Sequence, residues 1–408
     1  MSTRVAIVGA AARTALGEDL DRTWEAVQAG RSALAALTGF DASGYGDPWA
    51  AQIWSEPATP EEDPAMRILG RHGHLLGRVI AAVHEQTQLE HAQRDRVGLF
   101  VSIGMADSVV DDLAAAVLAS RDDAGRLDLQ RFFAGGYRHV HPLWPLAALN
   151  NVAAGQISID LDLRGDNFVL SSQADGGVRA LLEAMHALQE GSTDAALAGG
   201  VAEPIGPASL ARLGLRGVLG DGAAAPLCSD ASGVSPGEGA AAFLLRREVA
   251  LGATRPLAFL RGGATTWGRA PDRAGPTEEA FRRAIGQALD AARVDGRDID
   301  AVFLAAEGRP EQDAAELAAV ADVCGDRARL VATQGALGHT GSGAPALDVA
   351  LALCAFADGV LPPSVTREPL LAAAAGRLGR VEGPLRRVLV MAAGHEGGVG
   401  AMVLEAAR

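Results

Sequence analysis

The chain has 408 residues, of which 49% are hydrophobic and 21% charged, a balance typical of a globular protein that buries a large core. Its formal net charge of −14 argues against a nucleic-acid partner or an anionic membrane surface. All 36 basic residues are arginine, which excludes Schiff-base chemistry and a lysine acting as general base.

The cysteines indicate the cellular compartment and the absence of a metal centre built on thiolates. Cys228, Cys324 and Cys354 lie far apart and lack metal-ligand spacing, so we expect no metal ion. The N-terminus is not signal-like, and the longest apolar runs are too short to cross a membrane. The sequence therefore predicts a cytoplasmic protein without a membrane partner.

The first half of the chain alternates apolar strands with helices. We predict strands at 4–11, 96–104, 166–172 and 193–200, and helices at 20–29, 106–119, 144–159 and 177–190. The segment 40–95 is less regular and is predicted to form loops and caps. Continuous apolar strands that alternate with helices predict a parallel sheet covered on both faces.

The second half repeats this arrangement. Strands are predicted at 255–263, 300–308 and 329–335 and in a closing pair over 386–406, with helices at 276–294, 311–325 and 344–357. Each half contains a buried helix that leaves a glycine-rich bend, which suggests an internal duplication. We place the two halves at 1–250 and 251–408.

The stretch LSSQADGG (170–177) joins a strand to a helix through a sharp turn. Many enzymes carry their nucleophile at such an elbow. This elbow contains no cysteine, and its serines lie only before the bend. The elbow therefore has the strand–turn–helix arrangement that supports a nucleophile, but no nucleophilic side chain at the bend.

Several segments resemble the β-ketoacyl synthases of the thiolase fold, in the same order along nearly the whole chain. They are LTGFDASGY (37–45), NNVAAGQISIDLDLRGDNFVLSS (150–172), GSTDAALAGGVAEPIGP (191–207), SGVSPGEGAAAFLL (232–245) and DGVLPPSVTREP (358–369). The resemblance implies an α/β protein with a thiolase-like fold. Its two pseudo-duplicated αβ halves would form a five-layer α-β-α-β-α arrangement.

An active member of that family uses a cysteine at the elbow, two histidines and a lysine. A gap-free count places Ala174 at the cysteine position, whereas matching the local motif places Gln173 there. The first histidine position falls on Glu307 and the lysine position on Gln334. Only His339 is kept, so the resemblance implies that the catalytic set is lost.

Three further segments resemble a subgroup, the chain-length factor, or ketosynthase β subunit, of type II polyketide synthases. They are SPGEG (235–239), GRPEQDAAEL (308–317) and SGAPALDVALALCAFADGVLPPSV (342–365). The resemblance implies a non-catalytic subunit that pairs with an active ketosynthase α subunit and sets polyketide chain length. Acyl chains would arrive on the phosphopantetheine arm of an acyl carrier protein, with no cofactor bound to this chain. Alone, the chain could form a homodimer.

By the resemblance, four side chains lie on loops that should converge on the pocket that is catalytic in active members of the family. They are Glu307, His339, His395 and Glu396. Two histidines and two acids could form acid–base machinery or a metal site. We favour a third interpretation, a polar plug, by which we mean polar side chains that fill the pocket and hydrogen-bond to one another without catalysing a reaction. Burial could also leave Glu307 protonated.

The helix in 102–120 and the elbow strand are the predicted subunit interface. By the resemblance, Val109, Val110, Leu113 and Val117 would close the end of the partner's acyl tunnel, and they could equally be an ordinary core face. The strand 166–172 would pair with its counterpart across the dimer. Keeping the elbow would then preserve the dimer surface.

Two other functions remain open at this point. The first is a stand-alone enzyme, either a malonyl-carrier-protein decarboxylase that uses Gln173 with His339 or an acid–base enzyme that uses Glu307, His339 and His395. The second is a purely structural pseudoenzyme.

Overall fold

The computed structural model describes residues 4–55, 66–87, 91–105, 110–147 and 149–407, without the side chains of 66–68, 87, 91–93, 110–112 and 147. The strands in these ranges are β1 Val5–Thr14, β2 Ala35–Ala36, β3 Trp49–Ala50, β4 Val97–Ile103, β5 Asn167–Leu170, β6 Ala195–Val201, β7 Gly239–Arg247, β8 Ala258–Trp267, β9 Ala301–Leu304, β10 Arg329–Ala332, β11 Val360–Leu361, β12 Val381–Glu382, β13 Arg387–Ala393 and β14 Gly398–Ala406.

The helices in the same ranges follow from the apolar periodicity of the sequence. They are α1 Leu20–Gln28, α2 Met66–Thr87, α3 Val110–Ala119, α4 Leu129–Ala134, α5 Trp144–Ala147, α6 Asn150–Asp160, α7 Ala174–Glu190, α8 Pro207–Leu215, α9 Glu278–Ala292, α10 Pro310–Cys324, α11 Gln334–Leu337 and α12 Ala344–Asp358.

The main sheet consists of two similar sets of five strands. Its order is β10-β9-β13-β14-β8-β1-β7-β6-β4-β5, so that each set runs from an edge strand to a central strand. In each set the two outer pairings are parallel and the two inner ones antiparallel. Antiparallel pairing of β1 with β8, from Val5 opposite Leu260 to Ile7 opposite Ala258, joins the sets.

The helices cover both sets of strands and fill the space between them. α2 and α6 lie over the first set, α9 packs on the second set with α10 against it, and α7 and α12 contact strands of both. The result is the predicted five-layer α-β-α-β-α arrangement. The core forms three main clusters. One lies between the two sets of strands and includes Leu181; the other two include Ile80 of α2 and Ile285 of α9.

Two expectations about the architecture were wrong. The sheet is mixed rather than parallel, because the inner strands of each set pair in opposite directions although helices bury both of their faces. The segment 40–95 contains the long helix α2, which buries Leu76, Ile80 and Val83. The boundary at 250/251 stays a prediction.

Most of the other predicted elements are confirmed within a few residues at their ends. The helices predicted at 20–29, 177–190 and 344–357 correspond to α1, α7 and α12. α7 begins at Ala174, three residues earlier than predicted, so the elbow is shorter than the sequence suggested. The strand β7 was not predicted.

Candidate functional site

The elbow of the first half places Gln173, not Ala174, at the candidate site. Gln173 immediately precedes α7 and borders a pocket together with His339 and His395. Ala174 is the first residue of α7, is 4% exposed and packs in the central hydrophobic cluster. The structure therefore favours the alignment that matches the local motif over the gap-free count.

The second half of the chain holds this elbow in place. The Ser342 hydroxyl, just before α12, donates a hydrogen bond to the Ser172 carbonyl at 2.6 Å. A Cβ added at Gly177 would lie 2.6 Å from the Ser342 carbonyl oxygen, so only glycine allows α7 to approach this loop. The backbone of the elbow is thus fixed by contacts that involve no catalytic group.

A buried carboxylate, Glu307, lies at the centre of the candidate site. His339 Nδ1 is 2.9 Å from Glu307 Oε2, and His395 Nε2 is 3.0 Å from Glu307 Oε1. The two imidazole rings stack with their centroids 4.8 Å apart. Arg309 Nη1 also donates to Glu307 Oε1, at 3.1 Å. Three of the predicted pocket residues are therefore brought together, with Arg309 added.

The electrostatics of the cluster keep Glu307 ionised. Burial raises its pKa, but His395, the hydrogen bonds from both histidines and the charge interaction with His339 outweigh burial and hold the pKa well below its ordinary value. The direction of this shift runs against the expectation that burial could protonate Glu307, because the favourable contacts exceed the desolvation cost. Burial lowers the pKa of His395, although Glu307 opposes the shift.

The loop that carries Glu307 is held by a second buried carboxyl, Asp313. Asp313 accepts backbone hydrogen bonds from Leu227, Glu307 and Gly308 at 2.9, 3.1 and 3.1 Å. Burial raises the pKa of Asp313 to about 6 in spite of these hydrogen bonds. The sequence analysis did not identify Asp313 or Arg309, although both lie in the GRPEQD segment used for the resemblance.

The two remaining predicted pocket residues lie at opposite sides of the cluster. Gln334 is buried, and its side-chain amide donates to the Ala305 carbonyl at 3.0 Å while its Oε1 accepts from His339 Nδ1 at 3.3 Å. Glu396 does not join the cluster as expected. Its carboxylate points outward and pairs with Arg216 Nε at 2.9 Å.

The pocket itself is narrow. Its volume of about 30 Å³ holds one or two water molecules. It is lined by Gln173, Glu203, Pro204, Ser209, Arg212, Leu213, Arg216, Pro236, Gly237, His339, Gly341 and His395. The α8 side chains in this wall were not predicted, because α8 itself was not recognised from the sequence. A cavity of this volume has room for water or a small ion.

The predicted tunnel residues are only partly described. Val109 lies outside the described residues, and Val110 begins α3 with a side chain that is not described. Leu113 and Val117 are half-buried, one turn apart on the same helix. Whether they line a tunnel stays a prediction.

Many large apolar side chains between residues 105 and 168 are exposed, and we call this region the α3–β5 surface. It carries eleven of the sixteen large hydrophobic side chains that are exposed in the described part of the chain. Within this region α3 contacts α4, and separately α5 contacts α6 and α6 contacts the edge strand β5. Its exposed members are Met105, Leu118, Leu127, Leu129, Phe133, Tyr137, Leu143, Leu146, Leu149, Ile159 and Phe168.

Comparison with protein families gives two adjoining matches. Residues 73–250 match the β-ketoacyl synthase N-terminal domain, and residues 257–368 match the C-terminal domain of the same family. A polyketide β-ketoacyl synthase 2 of Streptomyces virginiae is 30% identical over 384 residues, covering 90% of each chain. The chain belongs to the β-ketoacyl synthase family.

Within the β-ketoacyl synthase family, the chain resembles the β subunits of type II polyketide synthases. The ketoacyl synthase β subunit of the tetracenomycin polyketide synthase of Streptomyces glaucescens is 29% identical over 362 residues, or 86% of this chain and 84% of the relative. This similarity agrees with the chain-length-factor motifs of the sequence.

Solved structures confirm the thiolase-like ketosynthase fold. The ishigamide ketosynthase/chain length factor matches with a TM-score of 0.85 and 22% identity over the whole of both chains. A type II polyketide synthase acyl-carrier protein in complex with its ketosynthase, bound to the hexaketide, gives a TM-score of 0.84 and 15% identity with equal coverage. In the described part of this chain, no helix is long and apolar enough to cross a membrane.

Proposed function

We propose that the chain is a chain-length factor, a non-condensing subunit that pairs with an active ketosynthase and sets the length of its product. The observation that carries this proposal is a preserved ketosynthase elbow that presents Gln173, an amide, to the pocket instead of a thiol. An amide cannot accept an acyl group as a thioester. The β-subunit relatives support the same assignment.

The state of Glu307 also argues against condensation on this chain. Decarboxylation of a malonyl group forms an enolate, which needs positive charge or hydrogen-bond donors. Here an ionised carboxylate occupies the first histidine position, and both neighbouring rings hydrogen-bond to it. A developing anion would be repelled by Glu307. The acyl-transfer chemistry would therefore take place on the partner.

The α3–β5 surface is the proposed site of heterodimer formation. β5 is an edge strand, so one side of its backbone is available to pair with a strand of another chain. On β5 itself Phe168 is 39% exposed, and on α6, which packs against β5, Ile159 is 72% exposed. A patch of apolar side chains around an open sheet edge is typical of a protein–protein interface. The partner would be an active ketosynthase α subunit.

The acyl chain would enter from an acyl carrier protein bound to the partner, carried on its phosphopantetheine arm. Val109, Val110, Leu113 and Val117 on or before α3 would close the far end of the tunnel at the interface. None of these side chains is aromatic, so the tunnel would be long. We also propose that 1–250 and 251–408 are duplicated halves.

Co-expression with an active type II ketosynthase tests the proposal. We expect a stable 1:1 complex on size-exclusion chromatography, and a product from malonyl carrier protein whose length changes when this subunit is replaced. The same ketosynthase without this chain serves as the control. Failure to bind the partner, together with an unchanged product length, would overturn the proposal. A homodimer that does not exchange with the partner would contradict it as well.

A second candidate function is decarboxylation of malonyl carrier protein by this chain alone, which the position of Gln173 beside His339 favours. The Gln173 amide could donate a hydrogen bond to a thioester oxygen. We would incubate the purified chain with radiolabelled malonyl carrier protein and measure released carbon dioxide. Release that is lost in Gln173→Ala would support this function over the first one.

A further inference from the structure

We propose that Glu307, His339 and His395 form a binding site for a divalent transition-metal ion of the Zn²⁺ type. This proposal goes beyond the chain-length-factor function and does not depend on it. It also replaces the polar plug without a metal ion that the sequence suggested.

The donor atoms of the three side chains converge from separate loops. Glu307 follows β9, His339 follows α11, and His395 lies in the turn between β13 and β14. One donor atom from each of the three side chains, a carboxylate oxygen and two imidazole nitrogens, lies within 4.8 Å of the other two. Two imidazole nitrogens and one carboxylate oxygen are a donor set that zinc, cobalt and iron(II) bind in proteins.

The distances are close to those that an ion requires. The two nitrogens lie 2.9 and 3.0 Å from oxygens of Glu307. Donors at about 2.0–2.1 Å from one ion lie roughly 3 Å apart when they occupy adjacent positions. The rings would need to move until all three donors lie at about 2.0–2.2 Å from one ion.

Metal binding requires a lone pair on the ligating nitrogen of each ring. A proton carried by His339 Nδ1 or His395 Nε2 would move to the other ring nitrogen or to solvent, and each imidazole would then offer that lone pair to the ion. Glu307 would offer one carboxylate oxygen.

The surroundings of Glu307 suit a metal ligand. Arg309 Nη1 donates to Oε1 at 3.1 Å, which leaves Oε2 for the ion, and Asp313 accepts from the Glu307 backbone N–H at 3.1 Å. Ligating carboxylates are themselves usually hydrogen-bonded in this way, because the second contact fixes their orientation. The carboxylate is therefore positioned before an ion arrives.

The site is open on one side. His339 and His395 border the narrow pocket, so water or a small anion could reach a fourth coordination position. Glu307 and Arg309 cancel in charge, so the ion would add positive charge to a buried place, which the nearby Asp313 carboxyl only partly offsets. We expect the open position to take an anionic ligand such as hydroxide or a small carboxylate.

The test measures ion binding directly, on the full-length chain with any affinity tag removed. The protein is treated with a chelator, desalted and titrated with Co²⁺, whose visible absorption reports coordination. A parallel sample is equilibrated with Zn²⁺, desalted again and analysed for metal by mass spectrometry. We expect about one ion per chain and a rise in the unfolding temperature on Zn²⁺ addition.

The ligand variants are His395→Gln and His339→Gln, and the control is His186→Gln, which removes an exposed histidine on α7. Each ligand variant should lose more affinity than the roughly 10–100-fold that the loss of an outer hydrogen bond costs. The control should bind as the unmodified chain does. Two ligand variants are used because either one may fold poorly, which circular dichroism would show.

Two results would overturn the proposal. One is an unmodified chain that retains no stoichiometric Zn²⁺ and gives no Co²⁺ absorption. The other is a folded ligand variant that binds as tightly as the His186→Gln control. Either result leaves the chain-length-factor function untouched, because partner binding and product length are measured separately.

Discussion

His395 and Glu307 lie 3.0 Å apart at the base of the pocket, although 88 residues separate them in the chain. The contact follows from the sheet, in which β9 and β13 pair in parallel and end side by side. Glu307 and His395 lie just beyond the carboxyl ends of these two strands. In sheets of parallel strands, functional side chains collect at this edge.

The first prediction concerns the stability contributed by this cluster. Glu307→Gln would leave Arg309, whose side chain is 12% exposed, without its carboxylate partner. We expect the free energy of unfolding to fall by about 3–5 kcal/mol, the usual cost of removing one member of a buried ion pair. Urea denaturation at neutral pH measures the change.

The matched control for this prediction is Glu396→Gln. The Glu396 side chain is 57% exposed and pairs with Arg216 at the protein surface. Its loss should cost less than about 1 kcal/mol. Equal effects of the two substitutions would show that the buried cluster does not contribute more than a surface pair.

The second prediction concerns pH. Burial raises the pKa of Asp348 to about 7, while a hydrogen bond from the Thr333 hydroxyl at 2.7 Å partly opposes the shift. Because the folded-state pKa lies above the unfolded one, this group stabilises the fold at low pH, and that stability is lost as pH rises towards 7. The Asp348→Asn side chain cannot ionise, so this variant should not lose that stability as pH rises.

We therefore expect Asp348→Asn to gain stability relative to the unmodified chain as pH rises from about 4 to about 8, by up to roughly 4 kcal/mol. Denaturation curves at several pH values give the difference. Asp290→Asn, which changes an exposed carboxyl on α9, is the control. A constant difference between Asp348→Asn and the unmodified chain over this range would contradict the assignment.

The third prediction compares the two candidate positions at the elbow. A thiol introduced by Gln173→Cys would face the pocket, whereas one introduced by Ala174→Cys would point into the core. We expect the first to react with iodoacetamide at least about ten times faster than the second, because reactivity requires access to the thiolate. Mass spectrometry of peptides separates these sites from the native cysteines. The reverse order of reactivity would favour the gap-free alignment.

The fourth prediction concerns the proposed interface. Ile159 is 72% exposed, so Ile159→Asp should leave the isolated chain folded. In a heterodimer it would place a charge in an apolar contact, and we expect affinity for the ketosynthase partner to fall by at least about tenfold. Val249→Asp, at an 81% exposed site outside the α3–β5 surface, should bind normally. Biolayer interferometry with both variants makes the comparison.

The fifth prediction concerns product length. Val117 is half-buried on α3, and Val117→Phe adds bulk where the tunnel is proposed to end. We expect the complex to release shorter products at a similar rate, which mass spectrometry would show. Val249→Phe, at an 81% exposed site outside the α3–β5 surface, should leave the product unchanged. Products of unchanged length from the Val117→Phe complex would contradict the proposed end of the tunnel.

The sequence predicted the elements that have a strong hydrophobic pattern. The strands β4 and β9 were recognisable as short continuous apolar runs, and the helices α7 and α9 because their apolar residues repeat at the helical period. The helix α2 was missed because it contains three glycines, which disfavour helix. One of them, Gly73, lies against α6, where a Cβ would come within 2.8 Å of the Ala153 Cβ. The close contact between α2 and α6 therefore explains why glycine occurs at this position, although glycine has a low helix propensity.

The strand β7 was missed for the opposite reason. Its GAAAFLLRR sequence is rich in alanine, a strong helix former, yet it lies between β1 and β6 in the sheet. At the site, the sequence placed Glu307, His339 and His395 together through the family resemblance. It could not place Arg309, because the direction of a single side chain from a loop depends on the folded backbone.

The hydroxyl of Ser342 ties the elbow of one half to the start of α12 in the other. The central hydrophobic cluster likewise takes residues from both halves, including Val178 and Leu347. The two parts of the chain are therefore joined through a shared core as well as through the elbow. Side chains that line the pocket can change one at a time, whereas a change in the elbow backbone would disturb a contact that involves both parts.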